Sequence, residues 1–280
     1  MADPLSPLLA LNDGRSLPQL GLGVYKTTDA ESADAVAFAL EHGYRLIDTA
    51  AMYLNERGVG EGLRRSGLPR DEVFVTTKVW HTDNGYDSTL RSFDESLERL
   101  GTDHVDLYLI HWPAPASDRY VDTWRALIRL REEGRATSIG VANFHPKHIE
   151  RIVGETGVVP AVNQVELHPW LPQAELRAFD AGLGIVTQAW SPLARGQVLD
   201  QAGDGSVLAQ LAGKHGRTPA QIVLRWHLQL GIAIIPKSVT PSRILENIDV
   251  FDFTLDADDL AALATLETGE RTGVDPDDRN

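Results

Sequence analysis

Val105-Asp106-Leu107-Tyr108-Leu109-Ile110 runs straight into His111-Trp112-Pro113, and this stretch decides the fold. Its apolar residues are nearly continuous rather than alternating, which describes a strand covered on both faces, as in a parallel sheet. A histidine then stands where the chain leaves that strand. Upstream, residues 88–100 carry helical periodicity, and Gly101 ends the helix. The same unit recurs along the chain. Strands are expected at 19–23, 44–47, 73–77, 105–110, 136–141, 161–164, 184–188 and 232–235. Helices are expected at 30–42, 57–65, 88–100, 120–133, 146–153, 173–181 and 219–230, with a closing pair at 241–248 and 257–266. Thr218-Pro219 and Thr240-Pro241 place proline at a first helical position, while Gly43, Gly67, Gly134 and Gly231 act as stops.

Eight strand–helix repeats point to an α/β fold, a (β/α)8 barrel formed by residues 1–280 as one domain. A doubly wound open sheet is the main competitor, but neither Gly21-Leu22-Gly23 nor Gly58-Val59-Gly60 completes the dinucleotide fingerprint, since Lys26 and Leu63 occupy its last glycine position. Residues 8–20 read as an N-terminal hairpin turning at Asn12-Asp13-Gly14, placed to plug the N-terminal face of a barrel. The polar tail 269–280 is expected on the surface.

At 280 residues the chain can bury roughly three quarters of its unfolded surface. Net charge is −14, which argues against nucleic acid or an anionic membrane as the main partner but leaves room for a local phosphate site. Without cysteine there is neither thiolate chemistry nor a disulfide framework. No metal-spaced His/Asp/Glu cluster stands out. Met1-Ala2-Asp3-Pro4-Leu5-Ser6-Pro7 lacks the basic-then-apolar pattern of a signal peptide, and no apolar run reaches the ~20 residues of a membrane span. A cytoplasmic monomer is expected.

Polar and aromatic residues follow the apolar runs with regularity: Asp48, Lys78, His111, Asn143, Gln164, Trp190 and Lys237. In a barrel these positions converge on the C-terminal face, where active sites are built. Each has an ordinary reading alone: a helix cap for Asp48, a surface lysine for Lys78, a satisfied core histidine for His111, a loop aromatic for Tyr53, and packing for Trp80, Trp112 and Trp190. Together they suit one reaction. Reduction of a carbonyl needs a hydride and a proton. A tyrosine, with pKa near ~10, is a weak acid whose phenolate a lysine ammonium stabilises, lowering that pKa. A buried lysine in turn requires a carboxylate. Asp48, Lys78 and Tyr53 supply this chain, and His111 can hold the carbonyl oxygen. With no metal set, the hydride is expected from an organic cofactor.

These residues resemble the aldo-keto reductase superfamily over nearly the whole chain, in particular the bacterial group containing 2,5-diketogluconate reductases. Three motifs carry the likeness: Gly43-Tyr44-Arg45-Leu46-Ile47-Asp48-Thr49-Ala50 with Tyr53, Asn55 and Glu56; the run from Leu97 to Pro113; and Ile235-Pro236-Lys237-Ser238-Val239-Thr240-Pro241-Ser242-Arg243-Ile244-Leu245-Glu246-Asn247. The resemblance implies a tetrad of Asp48, Tyr53, Lys78 and His111, with Tyr53 as general acid. It implies NADPH as cofactor, NADH binding more weakly. Asn143 and Gln164 would meet the nicotinamide carboxamide, and Trp190, where tyrosine is commoner, would stack on the ring. Ser191, Leu193, Val239 and Thr240 would also contact the cofactor. Lys237, Ser238 and Arg243 would hold the adenosine 2′-phosphate, and Glu246 and Asn247 would meet adenine. Ala142 stands where many relatives have serine, and lacks that hydroxyl contact to the carboxamide. Tyr25, Trp80, His111 and Trp112, with the tail near 269–276, would form the pocket for a small carbonyl substrate, hydroxylated or dicarbonyl compounds being favoured. A non-catalytic, NADPH-binding regulatory subunit of the same fold is the alternative, and the complete tetrad argues against it; a barrel hydrolase is a third, disfavoured because no paired carboxylates recur at strand ends and the Lys237, Ser238 and Arg243 set would go unexplained.

Overall fold

A computed structural model describes residues 5–279; the first four residues of the opening stretch and the last residue of the tail lie outside it. The chain begins with β1 (Leu8–Ala10) and β2 (Ser16–Pro18), an antiparallel hairpin. Its turn at Asn12-Asp13-Gly14 closes with Leu11 N donating to Arg15 O at 2.9 Å, and Gly14 has the positive φ of 84° that its lack of a Cβ permits.

Eight parallel strands follow: β3 (Leu22–Gly23), β4 (Leu46–Asp48), β5 (Phe74–Val79), β6 (Val105–Ile110), β7 (Ala136–Ala142), β8 (Val162–Glu166), β9 (Val186–Trp190) and β10 (Ala233–Ile234). Each pairs with the next in sequence. Bridges from Leu20 to Ile234 and from Gly23 to Lys237 join the two edges, so the sheet is a closed (β/α)8 barrel. The strands expected from the sequence are all present, shifted by one to three residues at most ends, and the run at 105–110 is matched at both ends.

The helices are α1 (Asp29–Glu41), α2 (Glu56–Ser66), α3 (Tyr86–Leu100), α4 (Tyr120–Glu132), α5 (Pro146–Thr156), α6 (Ala174–Gly182), the single turn α7 (Gln197–Asp200), α8 (Val207–His215), α9 (Pro219–Gln229), α10 (Pro241–Ile248) and α11 (Ala257–Ala264). Local chemistry explains their starts. Thr218 and Gln221 form a reciprocal capping box before Pro219, and Asp256 with Asp259 does the same for α11. The sequence reading lacks α8, which begins at Ser206, its side chain capping the Ala209 amide, behind a glycine-containing loop. No helix among the described residues is long and apolar enough to cross a membrane.

Period two along the strands positions the site. Register pairs Asp48 with Thr76, Lys78 with Leu109, Ala142 with Gln164, and Gln164 with Gln188. Every second residue therefore points into the barrel. Leu46, Leu107, Leu109, Val162, Ala233 and Ile235 form one interior cluster, closed at the N-terminal end by Leu11 and Leu17 of the hairpin. Following the same parity upward, these series end on Asp48, Lys78, His111, Gln164 and Trp190. The alternate residues Ile47, Val75, Tyr108 and Ile110 pack outward in the larger barrel–helix core.

Candidate active site

Lys78 Nζ donates to Asp48 Oδ1 at 2.5 Å and to the Thr49 carbonyl at 2.8 Å. Gln164 Nε2 donates to the other Asp48 oxygen at 2.7 Å and to Gln188 Oε1 at 2.8 Å. Lys78 and Asp48 are 0% and 1% exposed. Burial pushes the Asp48 carboxyl up and the Lys78 ammonium down, and each charge pulls the other back. Such a pair is held by its geometry and by the extra hydrogen bonds from Gln164 and to Thr49.

Tyr53 closes the short 3-10 turn Ala51–Tyr53 that follows β4. Its ring centroid lies 4.9 Å from that of Tyr25, 5.6 Å from that of His111, and 5.2 Å from Lys78 Nζ. Burial, then the charges of Asp48 and Tyr25, raise its hydroxyl well above the ordinary tyrosine value. Lys78, expected to lower it, is engaged by Asp48 and Thr49, with its Nζ 5.2 Å from the ring centroid. Tyr53 thus keeps its proton across the neutral range. His111 is pushed well below the usual histidine value by burial, then by Lys78 and Arg279, so its imidazole is neutral and has one N–H to donate. Its Nδ1 is shut off from solvent without a partner.

A cleft of about 730 Å³ opens over these groups. It is bordered by Asp48, Tyr53 and His111, by all of Tyr25, Trp80 and Trp112, and by Asn143, Gln164, Trp190, Ser191 and Leu193. It continues to Lys237, Ser238, Arg243, Glu246 and Asn247. Three residues expected in the site do not border it. Lys78 lies beneath Asp48, Val239 packs on the core, and Thr240 precedes α10 with its amide donating to Ser238 Oγ at 3.1 Å.

The amide pair is already tied to the protein. Asn143 adopts φ 61° as the chain leaves β7, a left-handed conformation that asparagine tolerates. Its Nδ2 donates to the His111 carbonyl at 2.9 Å, and its Oδ1 accepts from Trp190 Nε1 at 2.8 Å. Both Gln164 N–H groups have acceptors, so its Oε1 is what that side chain can offer to a ligand. At the far end, Lys237 and Arg243 are exposed and neither forms an ion pair among the described residues. Two cations outside any ion pair, at the end of a cleft lined by an indole and carboxamide acceptors, fit a dinucleotide carrying an additional phosphate.

The structure adds groups that the sequence did not single out. Gln188, a polar residue inside an apolar run, extends the Asp48 network. Glu166, buried at the end of β8, accepts from the amides of Thr272 and Gly273 at 2.6 and 3.1 Å and so ties the tail to the barrel mouth. Gly273 and Val274, in the part of the tail expected at the pocket, consequently border the cleft, and Arg279 beyond that part borders it too. His145, Asp275 and Asp277 also come together, with ligand atoms within 4.8 Å of one another, although 130 residues separate His145 from Asp275. His145 pairs with Asp275 and Lys147 with Asp277, at 3.1 and 2.6 Å, holding the tail on α5. Spacing in the sequence gives no sign of this cluster.

The barrel and the groups on its rim define a class: the chain belongs to the aldo/keto reductase family, whose model matches residues 18–268. It is 54% identical over 272 residues to an aldo-keto reductase of Mycolicibacterium smegmatis, covering 97% of this chain and 98% of that one. It is 50% identical over 279 residues to the methylglyoxal reductase DkgA of Escherichia coli, covering 99% and 98%. Among solved structures, a variant of Gox0644 in complex with NADPH superposes with a TM-score of 0.92 at 47% identity, covering 98% of this chain and 99% of that one.

Proposed function

We propose that this protein reduces small aldehydes and ketones to alcohols with NADPH, and that Tyr53 donates the proton. The observation that carries the reading is a single cleft with the buried Asp48–Lys78 pair, Tyr53 and neutral His111 at one end and the unpaired Lys237 and Arg243 at the other. The NADPH-bound relative and the relatives named methylglyoxal reductase support it. Bound NADPH supplies the hydride.

The chain's own residues do the rest. Lys237, Ser238 and Arg243 hold the 2′-phosphate, with Glu246 and Asn247 beside the adenine. Trp190, its edge fixed by Asn143, presents an indole face for stacking. Gln164 Oε1 accepts from the carboxamide; Ala142 contributes no hydroxyl there, a loss of ~1 kcal/mol at most. His111 donates its N–H to the carbonyl oxygen, where negative charge develops. Tyr53 passes its proton to that oxygen. The phenolate left behind is disfavoured by burial, and the Lys78 charge against its ring offsets this at the moment of transfer. Tyr25, Trp80 and Trp112 exclude water around the reacting atoms. Methylglyoxal and similar dicarbonyls fit a small aromatic-walled mouth with one polar centre.

The test is consumption of NADPH, with NADH in parallel, against a panel of aldehydes, ketones and dicarbonyls. Turnover with methylglyoxal and a preference for NADPH are expected. Tight NADPH binding without reduction of any carbonyl would leave only a nucleotide-binding subunit.

A further inference from the structure

The tail crosses the start of α5 at side chains that share one kind of donor chemistry. His145 Nε2 lies 3.1 Å from Asp275 Oδ1, and one ligand atom from each of His145, Asp275 and Asp277 falls within 4.8 Å of the others. Pro276, buried between the two aspartates, has its φ held by its ring, so the two carboxylates keep little backbone freedom. Each aspartate divides its oxygens in the same way. Oδ2 faces a cation, Arg271 at 3.3 Å for Asp275 and Lys147 at 2.6 Å for Asp277. Oδ1 turns to a histidine, His145 for Asp275 and His148 for Asp277, at 3.1 Å in both cases.

The contact with His148 is incomplete. Its side chain is 3% exposed, and its Nδ1 accepts from the His145 amide at 3.1 Å, so the ring proton sits on Nε2. That Nε2–H and Asp277 Oδ1 are both shut off from solvent, and neither completes a hydrogen bond although 3.1 Å separates them. A buried carboxylate oxygen without a donor is unfavourable, and a cation on it removes the cost. One imidazole nitrogen beside two carboxylate oxygens suits a first-row ion such as Zn²⁺, whereas Mg²⁺ and Ca²⁺ take oxygen ligands. Zn²⁺ sits roughly 2.0–2.2 Å from such ligands, which puts tetrahedral neighbours about 3.4 Å apart. His145 and Asp275 are already near that spacing. A small turn of the half-exposed Asp277 side chain brings in the third ligand, His148 then steadying it from behind.

We propose that His145, Asp275 and Asp277 bind a divalent first-row transition ion of the Zn²⁺ class, which clasps the tail to α5. Water fills the fourth position on the open side of the cluster. Thr272 and Gly273 of the same tail bond to Glu166, so the ion and Glu166 fix the tail at two places beside the cleft mouth. The site stands apart from the reacting groups and does not depend on the reductase reading.

The test titrates Zn²⁺ by calorimetry into the chelator-treated full chain, and Co²⁺ into a second sample for its visible absorption. Saturation at one ion per chain is expected in the parent. His145→Gln and Asp277→Asn should each weaken binding by about tenfold or more. Asp277→Asn lies in the tail, so it repeats the test without altering the start of α5. Lys147→Gln removes a competing cation and should tighten binding by about fivefold, the scale of one unit charge a few ångströms away in water. His104→Gln alters an exposed His–Asp pair elsewhere and should change nothing. Zn²⁺ should slow amide exchange of residues 271–279 in the parent and not in His145→Gln. No uptake by the parent overturns the proposal, as does uptake that His145→Gln and Asp277→Asn leave unchanged, which puts the ion elsewhere. Binding at the site without slower exchange in the tail overturns the clasp.

Discussion

At the β4–β6 end of the cleft, charges meet inside the protein; at the α10 end they do not. Asp48 and Lys78 are fully buried, face each other at 2.5 Å, and have further bonds to Gln164 and Thr49. Lys237 and Arg243 stand exposed and outside any ion pair among the described residues. The first end is complete without a ligand, so changing it disturbs both the folded state and the chemistry. On the proposed reading the second end takes the cofactor's phosphate, so changing it should touch binding alone.

The sharpest break in this comparison comes from Tyr53→Phe. The ring and its contacts with Tyr25 and His111 remain, and only the proton is removed. Turnover is expected to fall by roughly 10²–10⁴-fold, the usual scale for a positioned acid, while NADPH affinity, read by fluorescence titration, stays near that of the parent. A variant that keeps more than about a tenth of parental turnover would show that the proton comes from elsewhere.

Lys78→Met tests whether the first end is also structural. It leaves the Asp48 carboxylate buried and unpaired, a loss on the order of 3–5 kcal/mol for such pairs. Urea unfolding should show that drop together with lost turnover. A stable but inactive variant would mean that Asp48 takes up a proton and the pair matters for chemistry only.

Asp180 supplies the control, a buried carboxylate with no cation. It accepts from Thr187 Oγ1 at 3.0 Å and from Asn163 Nδ2 at 3.3 Å, and burial pushes its pKa up to about 7. Its folded pKa lies above the unfolded value, so its stabilising contribution is full below pH 3.8 and is lost as the pH rises through about 7. At ~1.4 kcal/mol per unit, the loss is about 4 kcal/mol at its upper bound. Unfolding of the parent and of Asp180→Asn, measured near pH 5 and near pH 8, should lie closer together at the lower pH and favour the variant more at the higher. Parallel pH profiles would show that Asp180 is ionised in the folded protein.

These contrasts explain what could be read in the sequence. Val105–Ile110 and Pro241–Ile248 fall where expected, because an unbroken apolar run and a Thr-Pro start are local signals. The rim residues were legible because each ends an apolar run on the barrel's two-residue repeat. What stayed hidden is long-range. Gln164 meets Asp48 across 116 residues, and Glu166 meets Thr272 across 106. The raised pKa of Tyr53 depends on burial, and the position of Arg279 on where a polar tail lies down. Asp180 looks like any acidic residue near a helix end until Asn163 and Thr187 close over it.

The α10 end gives the smallest and cleanest effect. Arg243→Ala removes one of two exposed cations and no protein–protein ion pair, so unfolding should be unchanged. If the guanidinium grips the 2′-phosphate, NADPH should bind roughly tenfold to a hundredfold more weakly, as for loss of a charge-assisted hydrogen bond. NADH lacks that phosphate and should bind as before. Fluorescence titration with both cofactors separates the cases: a selective loss for NADPH places Arg243 on the 2′-phosphate. Equal losses would place its action on parts that the two cofactors share, and the difference between the two ends would then lie in exposure alone.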